Sequence, residues 1–238
     1  MIDEFALAQY LDQTKLDSKS TFEEYEHFLQ EAERYQFHSV AVLPRYAKLA
    51  SKVLHGSKTQ VCVGISYPYG GLPPTLKALE AAEAVRRGAE ELDYVVNVPA
   101  LKAGEYSTLK EEALRIVEQA DGRVTKAIIE AWALTPAEME AICGIAIEAG
   151  VRFIKTSTGY KGFADLKPTT VQDAERLLKF SGGRINIKVS GGVGDAKAAL
   201  KLIGMGVRRI GTSSGEKIVA DFKALQQSGE LEKLAISI

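Results

Sequence analysis

Residues 135–156 read TPAEMEAICGIAIEAGVRFIKT, one helix running into one strand. Thr135 stands at an N-cap, Pro136 occupies the first helical position, where its missing N–H costs nothing, and Glu138 completes a capping box. Met139, Ile142, Cys143, Ala146 and Ile147 then form one apolar stripe, and Gly150 falls where a helix C-cap is expected. Beyond it Val151 to Thr156 is a short apolar run of strand character. The pattern is that of an αβ unit on a parallel sheet.

Working outward, seven more runs of this kind occur: Tyr10 to Leu16, Ser39 to Leu43, Val61 to Ser66, Leu92 to Val98, Val124 to Ala131, Arg184 to Val189 and Val207 to Gly211. Helical stretches separate them. Leu109, Ala113, Ile116 and Val117 make one further stripe, and Gly88 and Gly204 are expected to close two helices. Eight strands with helices between them predict an α/β fold, a (β/α)8 TIM barrel, as a single domain over residues 1–238. A doubly wound open sheet is the alternative, but no GxGxxG follows any of the strands.

Composition narrows the function. Lys plus Arg number 30 against 31 Asp plus Glu, a net charge of −1, so neither nucleic acid nor an anionic membrane is an expected partner. Cys62 and Cys143 are the only cysteines, which excludes a disulfide framework and a four-Cys zinc site and suits a reducing cytoplasm. Met1-Ile2-Asp3-Glu4 begins acidic where a secretory signal begins basic, and the charge-free stretch from Thr59 to Leu76 is broken by Pro68, Pro73 and Pro74. A soluble cytoplasmic protein is expected.

In a barrel, chemistry belongs at the C-terminal ends of the strands, with phosphate after strands seven and eight. Ser190-Gly191-Gly192-Val193-Gly194 and Gly211-Thr212-Ser213-Ser214-Gly215 stand there, small and Gly-rich, offering N–H groups, hydroxyls and helix N-termini to a phosphate. Strands six and seven end in Phe153-Ile154-Lys155-Thr156 and Asn186-Ile187-Lys188-Val189. Alternation sends Ile154 and Ile187 outward and both lysines into the mouth. Two such cations are expected to depress each other's pKa, and desolvation acts likewise, leaving a neutral amine able to form a Schiff base. Asp93 on strand four, with Lys126 and Glu130 on one face of strand five, would complete an Asp/Lys/Lys/Lys/Glu cluster able to move protons. Any one of these alone reads equally as a structural ion pair. His27, His38 and His55 share no metal spacing, Cys62 and Cys143 read as inert core, and Lys48, Lys52 and Lys58 as a solvated surface. Trp132 either lines the mouth or packs under a loop.

Lys155-Thr156-Ser157-Thr158-Gly159, Lys188-Val189-Ser190-Gly191-Gly192-Val193 and Glu91-Leu92-Asp93-Tyr94-Val95-Val96-Asn97 together resemble the deoxyribose-phosphate aldolase family of class I aldolases. The likeness runs from Leu11-Asp12-Gln13-Thr14 through Leu43-Pro44-Arg45 and Lys126-Ala127-Ile128-Ile129-Glu130 to Gly211-Thr212-Ser213-Ser214. It implies that Lys155 is the Schiff-base lysine, Lys188 the neighbour that lowers its pKa, and Asp93 the proton relay. It also implies that Gly159, Gly191, Gly192, Ser213 and Ser214 hold a substrate phosphate. Asp12 and Thr14 match a rim segment near the reacting carbons, and Lys126 and Glu130 join the substrate-binding set. The implied reaction is reversible cleavage of 2-deoxy-D-ribose 5-phosphate to glyceraldehyde 3-phosphate and acetaldehyde, with no metal and no organic cofactor. A homodimer is admitted, though no heptad or long exposed apolar run identifies an interface. Departures are Gln13 where the family usually has His, Ala131 where Thr is common, Ala41 where many members have Cys, and Tyr160 after the Lys-Thr-Ser-Thr-Gly segment. Gln13 and the Ala131-Trp132 pair bear on substrate preference. The thiol missing at Ala41 leads us to expect tolerance of concentrated acetaldehyde. Two alternatives stand beside this reading. One is a Schiff-base aldolase for another phosphorylated aldehyde or ketose. The other is a non-catalytic phosphosugar-binding barrel, which retention of Lys155, Lys188 and Asp93 disfavours.

Overall fold

The computed structural model describes residues 2–233, and in it the eight runs become β1 (Leu11–Lys15), β2 (Ser39–Val42), β3 (Gln60–Ile65), β4 (Glu91–Val95), β5 (Val124–Ile128), β6 (Phe153–Lys155), β7 (Asn186–Ser190) and β8 (Arg209–Thr212). They close in chain order into a parallel barrel, β8 returning to β1. Helices α1 (Glu4–Ala8), α2 (Phe22–Arg34), α3 (Ala47–Val53), α4 (Pro74–Arg86), α5 (Val98–Lys102) and α6 (Tyr106–Gln119) belong to the first half of the chain. The second half adds α7 (Pro136–Glu148), α8 (Val171–Ser181), α9 (Ala196–Gly204), α10 (Gly215–Gln227) and α11 (Glu230–Lys233). None of the helices described is long and apolar enough to cross a membrane. Met1 and residues 234–238 of the expected domain lie outside the described residues.

Local chemistry explains the boundaries. The capping box at Thr135 forms as read: Glu138 N donates to Thr135 Oγ1 at 3.3 Å, and Thr135 N donates to Glu138 Oε2 at 2.7 Å. Gly150 follows α7 with a φ of +80°, in the left-handed region that a Cβ disfavours. Gly204 does not close α9 in the expected way. It lies within the last turn, and Gly206, at φ +103°, makes the left-handed exit. Strand β4 starts one residue earlier than expected, at Glu91, and stops at Val95, because Asn97 turns to cap α5 through Ala100 N.

Register separates two interiors. Leu92, Tyr94, Ile154, Ile187, Val189 and Ile210 face outward and join one continuous apolar core with the helices. The alternate residues face the lumen in register, among them Asp93 beside Lys126, Ile128 beside Lys155, and Lys155 beside Lys188. Long cationic side chains fit there because small residues make room. A Cβ added at Gly211 would stand 3.2 Å from Lys188 Cε and 3.0 Å from Ser190 Cβ.

Candidate active site

Asp93, 2% exposed, is the hub of the lumen. Its Oδ1 accepts from Lys126 Nζ at 2.7 Å and from the Cys62 thiol at 3.0 Å; its Oδ2 accepts from Lys155 Nζ at 2.9 Å and Lys188 Nζ at 2.8 Å. Beneath it, Lys126 also donates to Glu91 Oε2 at 2.5 Å, and Lys188 pairs with Asp12. Arg209 closes the ring, donating to Asp12 Oδ1 at 2.9 Å and Glu91 Oε1 at 3.2 Å. Lys155 therefore holds one carboxylate and Lys188 two, while Lys126 bonds to two and stands 4.0 Å from a third, that of Asp12.

The pKa shifts follow from that sharing. Burial opposes a charge on Asp93, but the ammonium groups of Lys126, Lys155 and Lys188 overcome it and hold the carboxyl well below its usual range. Burial is also the main reason Lys155 falls below an ordinary lysine; Asp93 opposes that fall and the charge of Lys188 adds to it. The expected mutual depression does not occur. Burial lowers Lys188 too, but Asp12 and Asp93 outweigh it, so its pKa rises.

Several residues lie elsewhere than the sequence reading put them. Glu130 does not share the lumen with Lys126. The chain leaves β5 after Ile128, Glu130 takes a φ of +52°, and its carboxylate accepts from Thr158 N at 2.6 Å, from Ser157 Oγ at 3.4 Å and from Trp132 Nε1. It braces the long segment after β6. Asp12 is not at the rim but fully buried below it, whereas Thr14, two residues on, lines a 760 Å³ cavity beside the mouth. Gln13 turns outward and accepts from Gly215 N at 3.0 Å, at the first turn of α10. Lys126 is enclosed by Glu91, Asp93 and Cys62. Cys62 itself is no inert apolar residue, because it faces the lumen, while Cys143 lies in the outer core as expected. Trp132 joins an aromatic cluster with Phe163, Tyr160 and Tyr69.

The loops after β6, β7 and β8 meet. A Cβ on Gly159 would lie 3.7 Å from Gly191 Cα, and Thr212 Oγ1 donates to Val193 O at 2.7 Å. Gly159, Gly191 and Gly192 all take positive φ, and Ser213 is exposed at the cavity wall. Asp195 already caps α9 through Ala198 N, but Ser214, at the start of α10, makes no side-chain cap. At α10 Gln13 takes only the first N–H, that of Gly215, so the N–H groups that follow it are the ones a ligand could reach.

Sequence reading missed Glu91 and Arg209. Glu91 lay one residue outside the strand as bounded, and in Arg208-Arg209 alternation alone would have singled out Arg209, in phase with Gly211. It also missed a buried pair outside the barrel, Lys77 on α4 with Glu112 on α6 at 2.5 Å.

A parallel barrel that seals a lysine at the end of its sixth strand against a single shared carboxylate is of the barrel-enzyme class, with a buried amine, able to form a Schiff base with a carbonyl, at the face where barrels do their chemistry. The model of the DeoC/LacD family aldolases matches residues 6–220. The chain belongs to that family, and is an aldolase, a carbon–carbon lyase. It is 41% identical to the deoxyribose-phosphate aldolase of Microcystis aeruginosa over 92% of this chain and 94% of that one. Among solved structures, the aldolase QR15 superposes with a TM-score of 0.88 at 36% identity, covering 96% of this chain and 99% of that one. The tetrameric deoxyribose phosphate aldolase of Aeropyrum pernix superposes with a TM-score of 0.85 at 28% identity, covering 94% and 93%.

Proposed function

We propose that this single-domain barrel cleaves 2-deoxy-D-ribose 5-phosphate reversibly to D-glyceraldehyde 3-phosphate and acetaldehyde through a Schiff base on Lys155. The observation that carries the reading is the contact set of Lys155: buried, with a lowered pKa and one carboxylate, which it shares with Lys188. The names of the relatives support the substrate.

The neutral amine of Lys155 adds to the C1 aldehyde, and loss of water gives an iminium. Asp93 Oδ2 serves as the proton acceptor for the C3 hydroxyl, directly or through water; it is held so strongly as an anion that it passes the proton to water in the mouth, from which the same proton later returns to C2. The C2–C3 bond breaks toward the iminium, releasing glyceraldehyde 3-phosphate and leaving an enamine. Protonation at C2 and addition of water return acetaldehyde and the free amine, so the water lost at the start is recovered. Lys188, kept protonated by Asp12 and Asp93, disfavours a second charge on Lys155. Gly159, Gly191, Gly192, Ser213 and Ser214, with the uncapped start of α10, form the phosphate cradle. Thr14 lines the approach, Asp12 and Lys126 fix the lysine and carboxylate beneath it, and Glu130 fixes the loop that carries Gly159.

Borohydride reduction in the presence of 2-deoxyribose 5-phosphate tests the assignment. One adduct is expected at Lys155, and none in Lys155→Ala. An adduct on another residue, or none while the sugar phosphate still binds, refutes it. We further propose a cytoplasmic homodimer; the two buried free cysteines suit a reducing compartment.

A further inference from the structure

Among the described residues, the titratable groups converging in the lumen are Asp12 from β1, Cys62 from β3, Glu91 and Asp93 from β4, Lys126 from β5, Lys155 from β6, Lys188 from β7 and Arg209 from β8. Strand β2 contributes none, but His38 just before it comes within 3.4 Å of Glu91 Oε1. Glu130 lies above, committed to the loop after β6. Three carboxylates thus face four cationic side chains. Arg209 engages Asp12 and Glu91, Lys126 engages Glu91 and Asp93 and more distantly Asp12, at 4.0 Å, and Lys188 engages Asp12 and Asp93, while Lys155 has Asp93 alone.

An uncompensated charge in a sealed, poorly polarisable interior is costly, and a buried group escapes that cost by changing protonation. With one cation in excess, the set relaxes by losing one proton. Arginine does not release one. Of the three lysines, the one with the fewest carboxylates gives it up most easily, and that is Lys155. With Lys155 neutral, three cations balance three anions.

We infer that Arg209 and Glu91, neither of which pairs with Lys155, are positioning residues whose opposite charges set the proton affinity of that amine from the tier below. Arg209 supplies the cation that makes the count exceed the carboxylates; Glu91 limits the excess to one and anchors both Arg209 and Lys126. The catalytic consequence rests on the Schiff-base reading above, while the electrostatic statement stands apart from it. Removing the charge of Arg209 leaves protonated Lys155 fully compensated, so its proton affinity must rise. Removing the charge of Glu91 leaves two cations in excess, so it must fall.

The test follows acetylation of Lys155 by trace acetic anhydride across a pH series, read by peptide mass, beside the pH profile of kcat/KM on 2-deoxyribose 5-phosphate. A buried unit charge acting across the lumen is worth about one pH unit. Arg209→Met should move the titration of Lys155, and the acid limb of the profile, up by about that much. Glu91→Gln should move both down. Arg209→Lys, which keeps the charge, should retain the wild-type titration, and Arg209→Met with Glu91→Gln should restore it. Shifts in the same direction from both single variants, or no shift from Glu91→Gln alone, would overturn the inference even if Arg209→Met failed to fold. Should borohydride locate the Schiff base on another residue, acetylation would still report the ionisation of Lys155, so the two readings fail separately.

Discussion

In the phosphate cradle proposed above, Gly191 would serve binding by what it lacks. Its φ of +90° lies in the left-handed region, and a Cβ there would meet Ser157 Oγ at 3.3 Å and Thr169 Oγ1 at 3.5 Å. Gly191→Ala should therefore displace the loop after β7 from its neighbour after β6, at a cost of about 1–3 kcal/mol in backbone strain. If that loop cradles phosphate, the loss falls on one substrate. We expect kcat/KM for 2-deoxyribose 5-phosphate to drop at least about tenfold, a loss of about 1.4 kcal/mol, with little change for unphosphorylated 2-deoxyribose. Equal losses on both sugars would remove Gly191 from phosphate recognition. At the same scale, Cys62 supports the expected tolerance of acetaldehyde, although it lies in the lumen and not in the apolar core. Its thiol is buried and donates to Asp93, and burial raises its pKa strongly, so it has little thiolate to offer acetaldehyde.

At the scale of elements, α4 and α6 are joined by a charge pair rather than by apolar contact alone. Lys77 Nζ donates to Glu112 and also to Val95 O at 2.7 Å, and Asn97 N donates to Glu112 Oε1 at 3.3 Å. Two surrounding helices are thus fastened to the end of the strand that carries Asp93. Burial sets the pKa directions of both partners, raising Glu112 and lowering Lys77. Breaking such a pair from one side leaves an unpaired buried charge, so Glu112→Gln should lose about 3–5 kcal/mol in denaturant unfolding. Replacing both with methionine should recover most of that loss; a double variant as unstable as the single would show that the pair is not the cause. This pair also marks the limit of what the chain could reveal beforehand. Periodicity disclosed the strands, the capping box at Thr135 and the inward lysines, because each is a local pattern of spacing 2 or 3.6. Lys77 and Glu112 are separated by 35 positions and meet only when two helices pack. Glu130 escaped for a related reason: strand alternation stops applying once a residue adopts positive φ.

For the whole molecule, assembly is the open measurement. Leu76 and Leu79 on α4, and Tyr106 and Leu114 on α6, are large apolar side chains left exposed on two helices that pack together. Burying such residues is a common basis for association of identical subunits. Sedimentation equilibrium should give a dimer mass that Leu79→Glu shifts toward the monomer; a wild-type monomer at every concentration would reject the dimer. The barrel has one more consequence, for synthesis. Its lumen is stitched across the seam between first and last strands, where Arg209 reaches Asp12 over 197 positions and Lys188 joins the same carboxylate. A chain still growing on the ribosome exposes Lys155 before Arg209, 54 positions further on, has emerged to close the barrel. Its amine is then an ordinary solvated lysine, protonated and unreactive at neutral pH. On the Schiff-base reading proposed above, nucleophilic power would come only with closure of the barrel around Lys155, so truncated products of translation would carry the lysine without the chemistry.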